Sequence, residues 1–91
     1  MKISTKGRYA LRILADIAEH GVEKNVPIRE IAERQGFSDK YLEGIVSRLS
    51  SAGLVKSGRG KYGGYRLVKD PAEYNVYEIL YAAEDSIALV S

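Results

Sequence analysis

The 91-residue chain contains no cysteine and a single histidine, His20. The first absence removes a disulfide framework, a thiolate metal site and a cysteine nucleophile. The second leaves no histidine-based metal cluster. No apolar run approaches the roughly 18 residues of a membrane span. The opening MKISTKGRYA places Ser, Thr and Gly where a signal peptide carries an apolar core. A soluble intracellular protein with no membrane partner is expected. At this length one small domain forms, with about 60–65% of the unfolded surface buried and little room for a deep substrate cavity.

Charge of one sign is also missing over long stretches. From Gly44 to Lys69 there are six bases (Arg48, Lys56, Arg59, Lys61, Arg66, Lys69) and no acid, whereas residues 70–91 hold five acids and no base. Residues 1–69 carry all 14 Lys and Arg against seven acids, a balance of +7; the remainder stands at −5. A basic body with an acidic end suits a polyanion-binding face with its far end turned away, although ordinary solvated surface has the same composition.

The hydrophobic spacing predicts a mainly α chain. Ser4 or Thr5 caps a first helix running to His20, with Gly21 as its stop and Ala10, Ile13, Leu14, Ile17 and Ala18 inward. A short second helix spans Ile28 to Gln35 and ends at Gly36. Ser38 caps a third, running to about Ala52, with Leu42, Ile45, Val46 and Leu49 buried. Two helices separated by a three- or four-residue turn containing Gly match helix-turn-helix. Leu54–Ser57 and Tyr65–Val68 read as strands of a hairpin around a glycine-rich basic loop. Asp70-Pro71 ends it, and Asn75 caps a fourth helix from Val76 to about Glu84, with Val76, Ile79, Leu80 and Ala83 inward. Tyr77 and Tyr81 fall one turn apart on its flank, as packing or a protein contact. The expected fold is a winged helix-turn-helix over residues 1–84. Residues 85–91 are expected to begin a linker or a further dimerisation or sensor region.

Gly58-Arg59-Gly60-Lys61-Tyr62-Gly63 spells GxGxxG, a pattern shared by dinucleotide sites and the kinase phosphate loop. A dinucleotide site needs the glycines to open a helix, yet Tyr65-Arg66-Leu67-Val68 alternates like a strand. The kinase loop needs catalytic and metal-binding aspartates that the residues after Val68 leave no lobe to hold. The scattered carboxylates converge on no cleft, and His20 reads as a helix C-terminal cation. No enzyme is expected.

DNA binding assigns a role to each residue type. Ser38, Lys40, Tyr41 and Glu43 at the start of the third helix would meet base edges in the major groove, where Lys suits guanine acceptors and Glu accepts from the cytosine amino group. Glu43 is informative because an acid on a phosphate-facing surface costs affinity unless it discriminates between bases. Arg59 at the wing tip would enter the narrow minor groove. Lys2, Lys6, Arg8, Ser47, Arg48, Lys56, Gly60 and Lys61 would contact the backbone. Gly44 weakens its helix by about 1 kcal/mol relative to Ala, so a close approach by DNA or by a neighbouring helix is expected there.

The pieces Ser4-Thr5-Lys6-Gly7-Arg8-Tyr9-Ala10, Ile31-Ala32-Glu33-Arg34-Gln35, Tyr41-Leu42-Glu43, Leu49, Ala52-Gly53-Leu54-Val55, and Arg59-Gly60 followed by Gly63-Gly64-Tyr65 together resemble the bacterial winged-helix regulators of the IscR, NsrR and CymR type. The resemblance implies a transcriptional regulator, in particular a repressor, that reads a palindromic promoter site of double-stranded DNA. It implies a homodimer in the full-length form rather than in this fragment, and assigns base contacts to Ser38, Lys40, Tyr41, Glu43 and Arg59. Cluster-binding members use three cysteines, and some add an acid where this chain has Arg8. No cofactor is therefore expected here, and an iron–sulfur cluster would need a cysteine-containing C-terminal extension. The competing expectation is a winged helix used as a protein-interaction module, with Tyr77, Tyr81 and the apolar tail as its surface.

Overall fold

A computed structural model describes residues 4–22, 24–58 and 63–84. Helix α1 spans Thr5–His20, α2 Ile28–Gln35, α3 Asp39–Ser51 and α4 Val76–Ala83. Strands β1, Val55–Ser57, and β2, Tyr65–Leu67, pair antiparallel in the register Val55 with Leu67, Lys56 with Arg66, and Ser57 with Tyr65. A 3₁₀ turn, Pro71–Glu73, separates the hairpin from α4. This is the winged helix-turn-helix that the spacing predicts, with both strands shorter at their outer ends and α3 stopping one residue sooner.

Three of the four α-helices start on a side-chain cap, whereas α2 follows Pro27 without one. The Ser4 hydroxyl accepts from the Gly7 N–H, Ser38 does the same for Tyr41, and Asn75 forms a capping box with Glu78. Such caps contribute about 1 kcal/mol each. The apolar faces then converge: α1 packs against α4, α3 and α2, and buries Ala10, Ile13, Leu14 and Ile17. Ile31, Leu42, Ile45, Val46 and Leu49 from α2 and α3 complete the centre, all within 1% of full burial. Truncating one of the large ones, such as Leu42, to Ala costs about 2–5 kcal/mol.

The wing is anchored at its base by contacts remote in sequence. Val26 forms an isolated bridge with Tyr65 through two bonds, Val26 N–H to Tyr65 O at 2.8 Å and Tyr65 N–H to Val26 O at 2.9 Å. The α1–α2 connection thus adds a third strand-like segment to a ribbon that would be marginal alone. Gly64 permits this approach, since its φ is +105° and a Cβ there would sit 2.7 Å from the Val26 carbonyl carbon. On the other side the Tyr74 hydroxyl donates to the Leu54 carbonyl at 2.6 Å and accepts from the Val68 N–H at 3.0 Å, so one side chain ties the wing to the 3₁₀ turn.

One expected core residue is outside. Val76 is 50% exposed, whereas Ile79, Leu80 and Ala83 are buried. Its spacing matches theirs, but side chains lean toward a helix N-terminus, so at the first position of α4 this one projects past the helix end.

Candidate nucleic-acid interface

Helix α3 presents two faces with little in common. Leu42, Ile45, Val46 and Leu49 face the core, while Lys40, Tyr41, Glu43, Gly44 and Ser47 are exposed. Among the described residues Lys40, Glu43 and Ser47 take part in no hydrogen bond or ion pair, so the fold makes no use of their polar groups. Lys6 from α1 joins Ser38, Lys40, Tyr41, Gly44 and Arg48 around an open groove of about 480 Å³. The helix start, its outward side chains and a base from α1 are therefore brought together. Lys2, Arg59, Gly60 and Lys61 lie outside the described residues.

Gly44 resolves one of the two explanations offered for it. A Cβ at this position would meet nothing within 4 Å, so no neighbouring helix requires its small size. Only something approaching from solvent can. The first turn of α1 also has an acid beside its bases. Ser4 accepts from Gly7 and donates its own proton to the Glu84 carboxylate. An acid from the end of α4 thus already faces this helix terminus, and among the described residues the cations there are the half-buried Lys6 and the exposed Arg8.

Two arrangements behind the interface have no counterpart in the sequence reading. The first is aromatic: the Tyr9 ring lies 4.2 Å from that of Phe37 and meets Tyr41 edge-on at 5.6 Å. The Arg12 guanidinium caps the pair, 4.9 Å from the Phe37 centroid and 5.7 Å from that of Tyr9. Such stacking is worth about 0.5–1.5 kcal/mol per pair, so Tyr41 is held from behind by Tyr9 of α1, itself packed on Phe37, while part of it remains exposed.

The second is ionic. Asp16, 3% exposed, receives Arg34 Nη2 at 2.7 Å, Arg34 Nε at 3.0 Å and Gln35 Nε2 at 2.9 Å. Arg12 extends the network by donating to the Gln35 side chain and backbone carbonyls at 3.1 and 3.2 Å. Burial alone would push the Asp16 carboxyl up; the hydrogen bonds from Arg34 and Gln35, with the Arg34 charge and a weaker contribution from His20, outweigh it and hold the carboxyl below its ordinary value. The Arg34 guanidinium is raised in turn, chiefly by its hydrogen bond to Asp16. This pair locks α2 to α1 and so sets where α3 emerges. An acid flanking an apolar stripe, one position before Ile17, was the available signal.

Comparison with known proteins agrees with this geometry. The family profile described as "Rrf2: Iron-dependent Transcriptional regulator" matches residues 3–91. The HTH-type transcriptional regulator IscR of Photorhabdus laumondii is 47% identical over 87 residues, covering 96% of this chain and 53% of that protein. Protein rrf2 of Nitratidesulfovibrio vulgaris is 44% identical over 90 residues, covering 99% and 60%. Among solved structures, T. potens IscR superposes with a TM-score of 0.84 at 45% identity, over 92% of this chain and 61% of that one. CymR of B. subtilis, the global cysteine regulator, gives 0.86 at 44%, over 96% and 67%. The chain spans about half the length of the curated IscR relatives it matches. These relatives are transcriptional regulators and not enzymes. The iron dependence in the family description finds no ligands here: the chain has no cysteine, and no group of three or more His, Cys, Asp or Glu among the described residues could hold a metal.

Proposed function

Because the chain belongs to the Rrf2 family of transcriptional regulators, we propose that it binds double-stranded DNA sequence-specifically, with α3 in the major groove and the wing, residues 58–64, in the minor groove. The observation that carries this reading is the exposed outer face of α3, whose Lys40, Glu43 and Ser47 the fold leaves unused and whose Gly44 has open space above it. In this reading Ser38, Lys40, Tyr41, Glu43 and Arg59 meet bases. Lys2, Lys6, Arg8, Ser47, Arg48, Lys56, Gly60 and Lys61 meet the backbone. Repression, a palindromic site and a homodimer belong to the same reading.

The experiment is selection of duplexes from a randomised pool, followed by fluorescence anisotropy across a salt series. Affinity should fall steeply with salt, Arg59→Ala should weaken binding to the enriched sites, and Glu43→Ala should broaden the enriched sequences. Salt-insensitive binding, or no enrichment, would overturn the proposal. A second reading, contact with another protein through α4, draws on the exposure of Val76, Tyr77 and Tyr81 at 50%, 67% and 53%. The exposed bases of the wing, Lys56 and Arg66, favour the DNA reading.

A further inference from the structure

Away from the α3 groove, a second open cleft of about 380 Å³ lies between the C-terminal end of α1 and the wing. Ile17, Ala18 and Leu67 line it together with three bases: Lys56 of β1, Arg66 of β2 and Lys69. It shares no residue with the α3 groove. Lys69 is neutralised in part, since its ammonium lies 3.0 Å from Glu78 and 4.9 Å from the Tyr74 ring centroid. Lys56 and Arg66 are different. They are direct cross-strand partners in the hairpin register, both exposed, and neither has an acid, a hydrogen bond or a stacking ring among the described residues.

Like charges placed directly opposite each other destabilise a two-stranded ribbon, and this ribbon pairs only three residues on each strand. A Glu at either position would have turned repulsion into attraction at no steric cost on an exposed face. Two cations side by side above an apolar floor, with no acidic partner among the described residues, form a compact anion seat, in which an arginine fork and a lysine point charge engage the oxygens of one phosphate.

We propose, resting on the DNA-binding reading above, that Lys56 and Arg66 together hold a phosphate of the DNA strand that flanks the base pairs read by α3. Arg66 is then a DNA-contacting residue, and the cross-strand repulsion is relieved when the duplex is bound.

The test uses the whole chain with Lys56→Gln, Arg66→Gln and Arg66→Glu, on two duplexes carrying the same enriched site. One duplex ends at the edges of the site; the other extends one helical turn, about ten base pairs, on each side. On the long duplex each Gln variant should lower the slope of log affinity against log salt by about one, with the enriched bases unchanged. On the short duplex the variants and the unsubstituted chain should coincide. Arg66→Glu should bind the long duplex still more weakly while melting at a higher temperature than the unsubstituted chain at low salt, a pairing that a merely misfolded wing does not produce.

Equal slopes on the long duplex would overturn the proposal, as would equal losses on both lengths, which would place the contact inside the read sequence. A rise in melting temperature with inorganic phosphate that needs Lys56 and Arg66, combined with no length effect, would assign the seat to a free anion and overturn it too. Failure of the unsubstituted chain to bind either duplex is failure of the DNA reading itself.

Discussion

Replacing Asp16 tests the view that one buried carboxylate fixes the angle between α1 and α2. Its three incoming hydrogen bonds span 2.7 to 3.0 Å, and its side chain is 1% exposed, against 31% for Arg34. Breaking a buried ion pair costs about 3–5 kcal/mol, most of it from the charge left behind. With Asp16→Asn the survivor is Arg34, which can turn to solvent, so the cost should sit near the lower end, about 3 kcal/mol. With Arg34→Met the survivor is a buried acid that keeps only Gln35, so the cost should be nearer 5 kcal/mol. Either is a large part of the roughly 5–13 kcal/mol expected for a domain of this size. The asymmetry, rather than either value, is diagnostic.

The pH dependence provides a second check on the same substitution. Because the folded Asp16 carboxyl titrates below its ordinary value of 3.8, the unfolded chain takes up this proton first as pH falls. Its stabilisation is complete well above 3.8 and is lost as pH drops through the folded value. Asp16→Asn should remove this part of the acid slope. In Arg34→Met the carboxyl should titrate above its ordinary value, so the penalty should shrink on acidification. Urea unfolding followed by far-UV circular dichroism at pH 7 and in steps from pH 4 to pH 2 reads both. An Arg34→Met cost smaller than that of Asp16→Asn, or an unchanged acid slope in Asp16→Asn, would refute the reasoning.

Three further outcomes are expected. Gly44→Ala should raise stability by about 0.5–1 kcal/mol, because the position is helical with open space above it; if α3 lies close against DNA the same change should weaken duplex binding, and calorimetry with anisotropy measures both. Tyr74→Phe should cost about 1–2 kcal/mol through the lost bond to the Leu54 carbonyl and the stranded Val68 N–H, seen as a lower urea midpoint. The Glu78 carboxyl is held below its ordinary value by the Asn75 backbone N–H first and by Lys69 second, so Glu78→Gln should flatten the acid slope below about pH 4.5 without altering the duplexes enriched in selection.

What could be read ahead of the structure was local or periodic. The caps at Ser4, Ser38 and Asn75, the stripe of Leu42, Ile45, Val46 and Leu49, and the Asp70-Pro71 break all act within a few residues, so spacing alone located them. What escaped depends on contacts remote in the chain. Asp16 meets Arg34 eighteen positions away, Tyr9 stacks on Phe37, Tyr65 bridges Val26 and Tyr74 reaches back to Leu54. No periodicity signals any of these pairings. Val76 failed for the opposite reason: its spacing was right, but a helix end offers no neighbour beyond it.

The uneven bookkeeping along α3 bears on how such a protein can change its target. Ser38 is committed in part, since its hydroxyl oxygen already accepts from the Tyr41 N–H as the helix cap, which leaves its proton and one lone pair for a base in the proposed reading. Tyr41 is braced by Tyr9. Lys40, Glu43 and Ser47 have no such obligations, and substitutions at unencumbered surface positions stay within about 0.5 kcal/mol. If α3 reads bases as proposed, new sequence preferences can therefore be explored one residue at a time at 40 and 43 while the fold stays intact. A change at 38 or 41 draws on stability and needs a compensating substitution elsewhere.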